Sequence, residues 1–355
     1  MKTNVKTIAT DATADSSLPG AHGVLQTSHL DSSQTSVTTV SSRLRSLLLI
    51  PEIGILIPLT VLTIGFSIIN PALLRPESIG AMLRGLAFVG IISIGQTLLM
   101  VSGELDLSVG SVSGLCAIIS AWLMTHGVSV PCAVIGGLAA GAVIGFINGL
   151  LTVGVGLPAF IATLGMLYVT RGLDYLISGG IPIYPLPPAL ASMEKLAPTG
   201  ISWALLIFVF LAIVGEFGLR KTTFGRALYA TGGNPEVARL AGISTNRIKI
   251  ACYVLSGTLA ALAGFLQTAQ FNVGQPEMGT GAELEVIAGV VIGGVSLFGG
   301  VGTILGTVLG LLLMQIVKNG LVHSHVNSHW QTIAVGVTMM AAVSVDLLRR
   351  RSKVG

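Results

Sequence analysis

Polar and apolar positions change over on a long scale in this chain. Apolar blocks near 20 residues long, separated by short polar breaks, run from about residue 46 to residue 347. A block of that length crosses the hydrocarbon core of a bilayer as one helix. The pattern predicts ten spans, at about 46–69, 81–102, 108–126, 129–154, 158–177, 200–219, 248–270, 283–297, 301–318 and 329–347. The eighth is short and reads as tilted or partly re-entrant. The expected fold class is therefore all-α, a polytopic membrane protein of about ten transmembrane helices. Residues 46–348 form the membrane domain. Residues 1–45, rich in Ser and Thr and without apolar periodicity, read as a disordered tail. The first apolar block begins only after Arg45, so a cleaved signal peptide is not expected.

Composition agrees with that pattern. Only 10% of the 355 residues are charged, against about 25% in a soluble domain. The net charge is +4, and placement matters more than the sum. Arg220, Lys221, Arg226, Arg239, Arg247 and Lys249 lie in one polar stretch. Arg349, Arg350, Arg351 and Lys353 form a basic tail at 349–355, and Arg43 and Arg45 precede the first block. Basic loops face the cytoplasm, and an even number of spans puts all three clusters there. Both termini are then cytoplasmic. The basic residues mark a membrane side and no nucleic-acid surface.

The two halves share an order of features. Gly137, Gly141, Gly145 and Gly149 recur every fourth residue in the fourth span, and Gly302, Gly306 and Gly310 do so in the ninth. Such ridges let helix backbones approach closely in lipid. Glu104-Leu105-Asp106-Leu107 precedes the third span, and Glu283-Leu284-Glu285-Val286 opens the eighth. Five spans separate the copies, so the second runs inverted, a recurrent transporter design. Repeat one covers 46–177 and repeat two covers 200–347.

The longest internal polar stretch, 220–247, has its own local logic. Asn234 is a good N-cap, Pro235 suits the first helical position and Glu236 lies in the first turn. Gly242 supplies the stop. A short capped helix facing the cytosol suits docking into a cleft of another protein.

At these residues the chain resembles the permease subunits of bacterial ABC importers for simple sugars, of the ribose, arabinose and xylose type. The resemblance runs from about residue 50 to 348. It is carried by GELDLSVGS at 103–111, PAFIATLGM at 158–166, TTFGRALYATGGNPEVARLAGI at 222–243, VIGGVSLFGGVGTILGTVLG at 291–310, and Asn319-Gly320. The resemblance implies that Gly233, Asn234, Pro235, Glu236, Arg239 and Gly242 belong to the helix that couples the permease to a cytosolic ATPase. It also implies a second permease copy, two ATPase subunits and a periplasmic sugar-binding protein. Two places depart from the family pattern: Val237-Ala238 stands where two alanines are usual, and Glu104-Leu105 where a small and a branched residue are usual.

A sugar path calls for neutral donors and acceptors. The candidates are Gln96, Asn148, Gln267, Gln270 and Asn272, with Asp106 and Glu283 as carboxylates at helix boundaries, where charge in a membrane tends to have a task. Helix capping is the alternative reading of Asp106, and interhelical hydrogen bonding that of the amides. Glu285 stands beside Glu283 in the same position. Arg171 and Asp174, at i and i+3, read as an ion pair. His323, His325 and His329 read as a solvated loop, and Cys116, Cys132 and Cys252 as packing residues; no metal or cofactor is expected. The sequence contains no G-x-x-x-x-G-K-S/T loop and no catalytic constellation, so the chain is not expected to be an enzyme or to hydrolyse ATP itself. The alternative to an ATP-driven permease is an ion-coupled secondary transporter with inverted repeats.

Overall fold

The computed structural model describes residues 51–190 and 202–324, with isolated positions from 326 to 344. The expected tails at 1–45 and 349–355, His325 and much of the tenth span lie outside the described residues. The helices are α1 (Pro51–Ile69), α2 (Pro76–Val101), α3 (Val109–Thr125), α4 (Val130–Gly149), α5 (Ala159–Ser178), α6 (Trp203–Lys221), α7 (Thr223–Gly233), α8 (Pro235–Leu240), α9 (Thr245–Phe271), α10 (Ala282–Ile292) and α11 (Ile304–His323). Among the described residues six helices are long and apolar enough to cross a membrane: α2, α4 with its π-helical continuation to Gly154, α5, α6, α9 and α11. Helices α1 and α3 are apolar but shorter.

The expected eighth span, 283–297, is a different object. Helix α10 has 11 residues, a rise of roughly 16 Å, about half of a hydrocarbon core. It stops at Gly293, and Gly294, Gly299 and Gly300 follow with φ of 87°, 85° and 76°. Those left-handed positions suit glycine, and they fold the chain into a tight return to α11.

Helices α2 and α9 cross at the centre. Helix α9 packs on α3 and α4, while α2 packs on α6, α10 and α11. Ile91, Ile92 and Leu99 of α2, Tyr253 and Ala260 of α9, Ile287 of α10 and Leu311 of α11 are fully buried in this core. The glycine ridges set the close approaches. A Cβ at Gly141 would collide with the Gly257 carbonyl, and one at Gly145 with the Tyr253 carbonyl, both on α9. Gly149 lies against Ile250 of α9, and Gly137 faces Ser120 of α3. On α11, Gly306 and Gly310 meet the backbone of Gly293 and Gly289, and Gly302, just before α11, packs on Val295. Lipid offers helices no hydrophobic reason to associate, so backbone contact and dispersion carry the packing. Phe210, Ile213 and Phe217 of α6 lie exposed on the outside of the bundle, where a bilayer solvates them.

Candidate functional site

The polar residues gather in three places. The first is the end of the bundle that carries the basic loop. Thr222 caps α7 through its Oγ1, which accepts from Gly225 N at 3.2 Å. Asn234 ends α7 and starts α8, its Oδ1 accepting from the backbone N–H groups of Glu236 and Val237, both at 3.1 Å. Gly242, at φ 81°, donates to Arg239 O at 2.9 Å, and Ile243 N donates to Ala238 O at 3.0 Å. That pair of bonds is a Schellman stop. Arg239 faces its own chain: Nε donates to Thr245 Oγ1 at 2.9 Å and Nη2 to Asn246 Oδ1 at 3.3 Å. The free face of α8 carries Glu236, Val237 and Leu240, and Leu240 is 89% exposed.

The back of this unit is joined to the core through bare backbone. Gly300 N donates to Val101 O at the end of α2 at 2.9 Å. A Cβ at Gly232 would strike both groups, and one at Gly299 would come within 2.8 Å of Gly103 Cα and Gly232 O. Tyr229 closes the joint, its hydroxyl donating to Gly302 O at 2.6 Å. Nearby, Lys249 Nζ pairs with Glu104 Oε1 at 2.6 Å, and Tyr253 donates to Glu104 Oε2 at 3.2 Å. The unusual Glu104 thus fastens the α2–α3 connection to α9.

The second place is a buried node between α2, α3 and α4. Asp106 Oδ1 accepts from Ser108 N at 2.7 Å and Ser108 Oγ at 2.6 Å. Asn148 Nδ2 donates to Ser108 Oγ at 2.9 Å and reaches Asp106 Oδ2 at 3.4 Å. With its amide oriented to satisfy both atoms, Gln96 brackets the Asp106 backbone N and O at 3.3 Å each. Gln96 and Asn148 are fully buried and Asp106 is 1% exposed. Three candidates from different parts of the chain are therefore brought onto one another.

The third place is a cavity of about 940 Å³ at the opposite end, between α2, α9, α10 and α11. Gln267 and Gln270 line it, together with Arg84, Glu285, Gln315 and Lys318. Lys318 Nζ contacts both Glu285 oxygens, at 2.9 and 2.8 Å, and Gln315 Nε2 donates to Oε1 at 3.2 Å. Gln267 Oε1 is buried without a hydrogen-bond partner among the described residues. The α9–α10 connection, which forms one wall, is held by Arg171: Nη1 donates to Pro276 O at 2.7 Å and Met278 O at 3.2 Å, and pairs with Asp174 at 3.0 Å. Glu283 and Asn272 lie off the cavity wall. The Glu283 carboxylate fills the space where Gly110 lacks a side chain, and Asn272 ends α9 at φ 52°. Arg84, Gln315 and Lys318 went unremarked in the sequence, where single polar residues in apolar helices say nothing of whom they face.

Among the described residues no group of His, Cys, Asp and Glu is arranged to hold a metal. His323 bonds to Ser78 Oγ at 2.6 Å and joins the end of α11 to the start of α2.

A family model described as the permease component of branched-chain amino acid transport systems matches residues 78–343. The chain belongs to this permease family. Its relatives include the autoinducer 2 import system permease protein LsrC of Enterobacter sp. (strain 638), 34% identical over 278 residues, covering 78% of this chain and 81% of the relative. The ribose import permease protein RbsC of Bacillus subtilis (strain 168) is 37% identical over 297 residues, covering 83% of this chain and 92% of the relative. No solved structure matches. The permease is thus the membrane component of an ABC importer, a multi-pass membrane protein and not an enzyme.

Proposed function

We propose that the permease translocates a small hydroxylated, sugar-like molecule across the bacterial inner membrane, driven by a cytosolic ATPase that docks on α8. The substrate class follows from relatives named for ribose and for autoinducer 2, together with a cavity whose amides Gln267 and Gln270 suit hydroxyls. A periplasmic binding protein delivers the substrate at the cavity end, and a second permease copy completes the pore. Ten spans in two inverted five-helix repeats, 46–177 and 200–347, with both termini and the 220–247 loop cytoplasmic, accommodate the charge pattern. The repeat reading draws support from packing: α9 lies on α4 and α3 as α2 lies on α11 and α10.

The observation that carries the coupling reading is the form of α8. It is a six-residue helix, capped at both ends, anchored behind by Arg239, with Val237 and Leu240 bare on its free face. Apolar side chains held out on a rigid element make a docking surface. Glu236 is the charged member of that face, Gly233 and Pro235 shape its entry, and Gly242 its exit.

The test is Leu240→Asp in the complex reconstituted with its ATPase. ATP-driven uptake should fall more than tenfold, about 1.4 kcal/mol, while the thermal unfolding of the permease stays unchanged. Undiminished uptake would remove α8 from the coupling path. Uptake by the permease alone, collapsed by an ionophore, would instead point to ion coupling.

A further inference from the structure

Helix α6 has two unlike faces. Ala204, Phe208, Gly215 and Leu219 recur at helical spacing and turn inward, with the Phe208 ring over Gly90 and Gly215 against Ile94 and Ile304. Leu206, Phe210, Ile213 and Phe217 recur at the same spacing on the other side and are exposed. Among the six membrane-crossing helices α6 is the least buried. Its outward stripe has marked ends. Trp203 opens it and Lys221 closes it, 18 positions apart and therefore on one face. The rise between them is roughly 27 Å, close to the thickness of a hydrocarbon core. Trp is an interfacial residue, and a Lys at a helix end reaches to the headgroup level.

The basic end carries more charge than its own chain neutralises. Arg220 pairs with Glu216, whose Oε2 also accepts from Ile304 N at 2.8 Å and Leu305 N at 3.2 Å. No Asp or Glu lies between Glu216 and Glu236. Lys221 and Arg226 are exposed and have no ion-pair partner among the described residues. The corner that presents them is fixed. Thr222 Oγ1 donates to Gly218 O and accepts from Gly225 N, and a Cβ at Gly225 would strike the Leu219 carbonyl. Helix α7 thereby buries Gly225 and Leu228 and turns Arg226 outward.

Water can hydrate an exposed cation, so exposure alone names no counterion. Level does: the stripe beneath Lys221 belongs in hydrocarbon, which puts the two cations among lipid headgroups. We propose that the α6–α7 corner binds an anionic phospholipid, its phosphate against Lys221 and Arg226 and its acyl chains along Phe217, Ile213 and Phe210. A zwitterionic lipid brings its own cation to the same place and is disfavoured. The site needs only that the chain spans a membrane, and it stands apart from the substrate and from the docking face of α8.

The full-length permease is titrated with phosphatidylglycerol and with phosphatidylcholine of identical acyl chains, and the first bound lipid is read by native mass spectrometry. Phosphatidylglycerol should bind at least tenfold more tightly, since each cation near an anionic surface is worth about fivefold. The preference should fade as ammonium acetate is raised. Lys221→Gln with Arg226→Gln should remove it, and Lys221→Arg with Arg226→Lys should keep it. Arg75→Gln with Arg84→Gln, which removes the same charge near the opposite end of the bundle, should also keep it. Equal affinity for the two lipids on the unaltered protein would overturn the proposal, as would an undiminished preference in a folded Lys221→Gln, Arg226→Gln protein. Glycerophosphoglycerol, the headgroup without chains, should not displace the lipid; displacement would show a phosphate site that owes nothing to the membrane. Release of the lipid when the ATPase is added would assign the corner to the ATPase instead.

Discussion

Asp106 and Glu285 are the second acids of two similar stretches, Glu104–Leu107 and Glu283–Val286, and they have opposite fates. Asp106, between α2 and α3, is enclosed and supplied with donors from Ser108 and Asn148. Glu285, in the first turn of α10, opens onto a cavity and is held by Lys318 and Gln315. The same kind of residue at the same kind of boundary is a structural pin in one place and part of a cavity wall in the other. What differs is the helix behind it. Helix α3 runs 17 residues and buries its start in the core, whereas the 11-residue α10 leaves its first turn at the edge of open space. Two similar stretches of sequence thus do different work, and the placement of the side chains divides it.

That contrast breaks most sharply at Asp106. Replacing it with Ala leaves the Ser108 N–H and hydroxyl buried without their acceptor, and the cost should be about 3 kcal/mol, read as a large drop in unfolding temperature in detergent. A stability close to that of the unaltered protein would mean that the node is not a pin. Next in size, Gly141→Val drives a side chain into the Gly257 carbonyl and should destabilise by about 2 kcal/mol, visible as loss of monodisperse protein on gel filtration. Smaller again, Glu285→Ala should cost under about 1 kcal/mol, since the Lys318 side chain is 30% exposed and the pair is screened. It should nonetheless alter ligand contact, because it frees a second cation in the cavity. A stability loss equal to that of Asp106→Ala would erase the distinction between the halves. A similar loss is expected from Lys249→Met, which unpairs Glu104: about 1 kcal/mol, since that pair is no more exposed, at 18% and 13%, seen at low ionic strength in a salt series of melting curves.

Legibility in the sequence followed the range over which each feature is decided. Helix α8 was readable to within one residue because Asn234, Pro235 and Gly242 act within ten positions of one another. The glycine spacing in α4 and α11 was equally plain, since a four-residue period is a face of a helix. The partners were not legible. Gln96, Asp106 and Asn148 were recognisable as polar residues out of place in apolar surroundings, yet nothing in one chain order says that α2, α3 and α4 bring them together. Arg84 and Lys318 lie more than 200 residues apart and line one cavity only because α2 and α11 flank the same space. Arg239 shows a subtler gap. The resemblance placed it on the coupling helix, and only the structure shows its guanidinium bonded to Thr245 and Asn246 of its own chain.

The joint at Gly103, Gly232, Gly299 and Gly300 has a mechanical meaning. Side chains in a contact can change rotamer and soak up displacement before it reaches the next element. Here main chain rests on main chain, with one hydrogen bond from Gly300 to Val101 across it. Such a hinge has almost no backlash. A tilt of α8 would reach the end of α2 and the turn before α11 nearly undiminished, in either direction. The same stiffness makes the joint unforgiving: an added methyl at Gly232 would run into the Val101 carbonyl and force the two backbones apart.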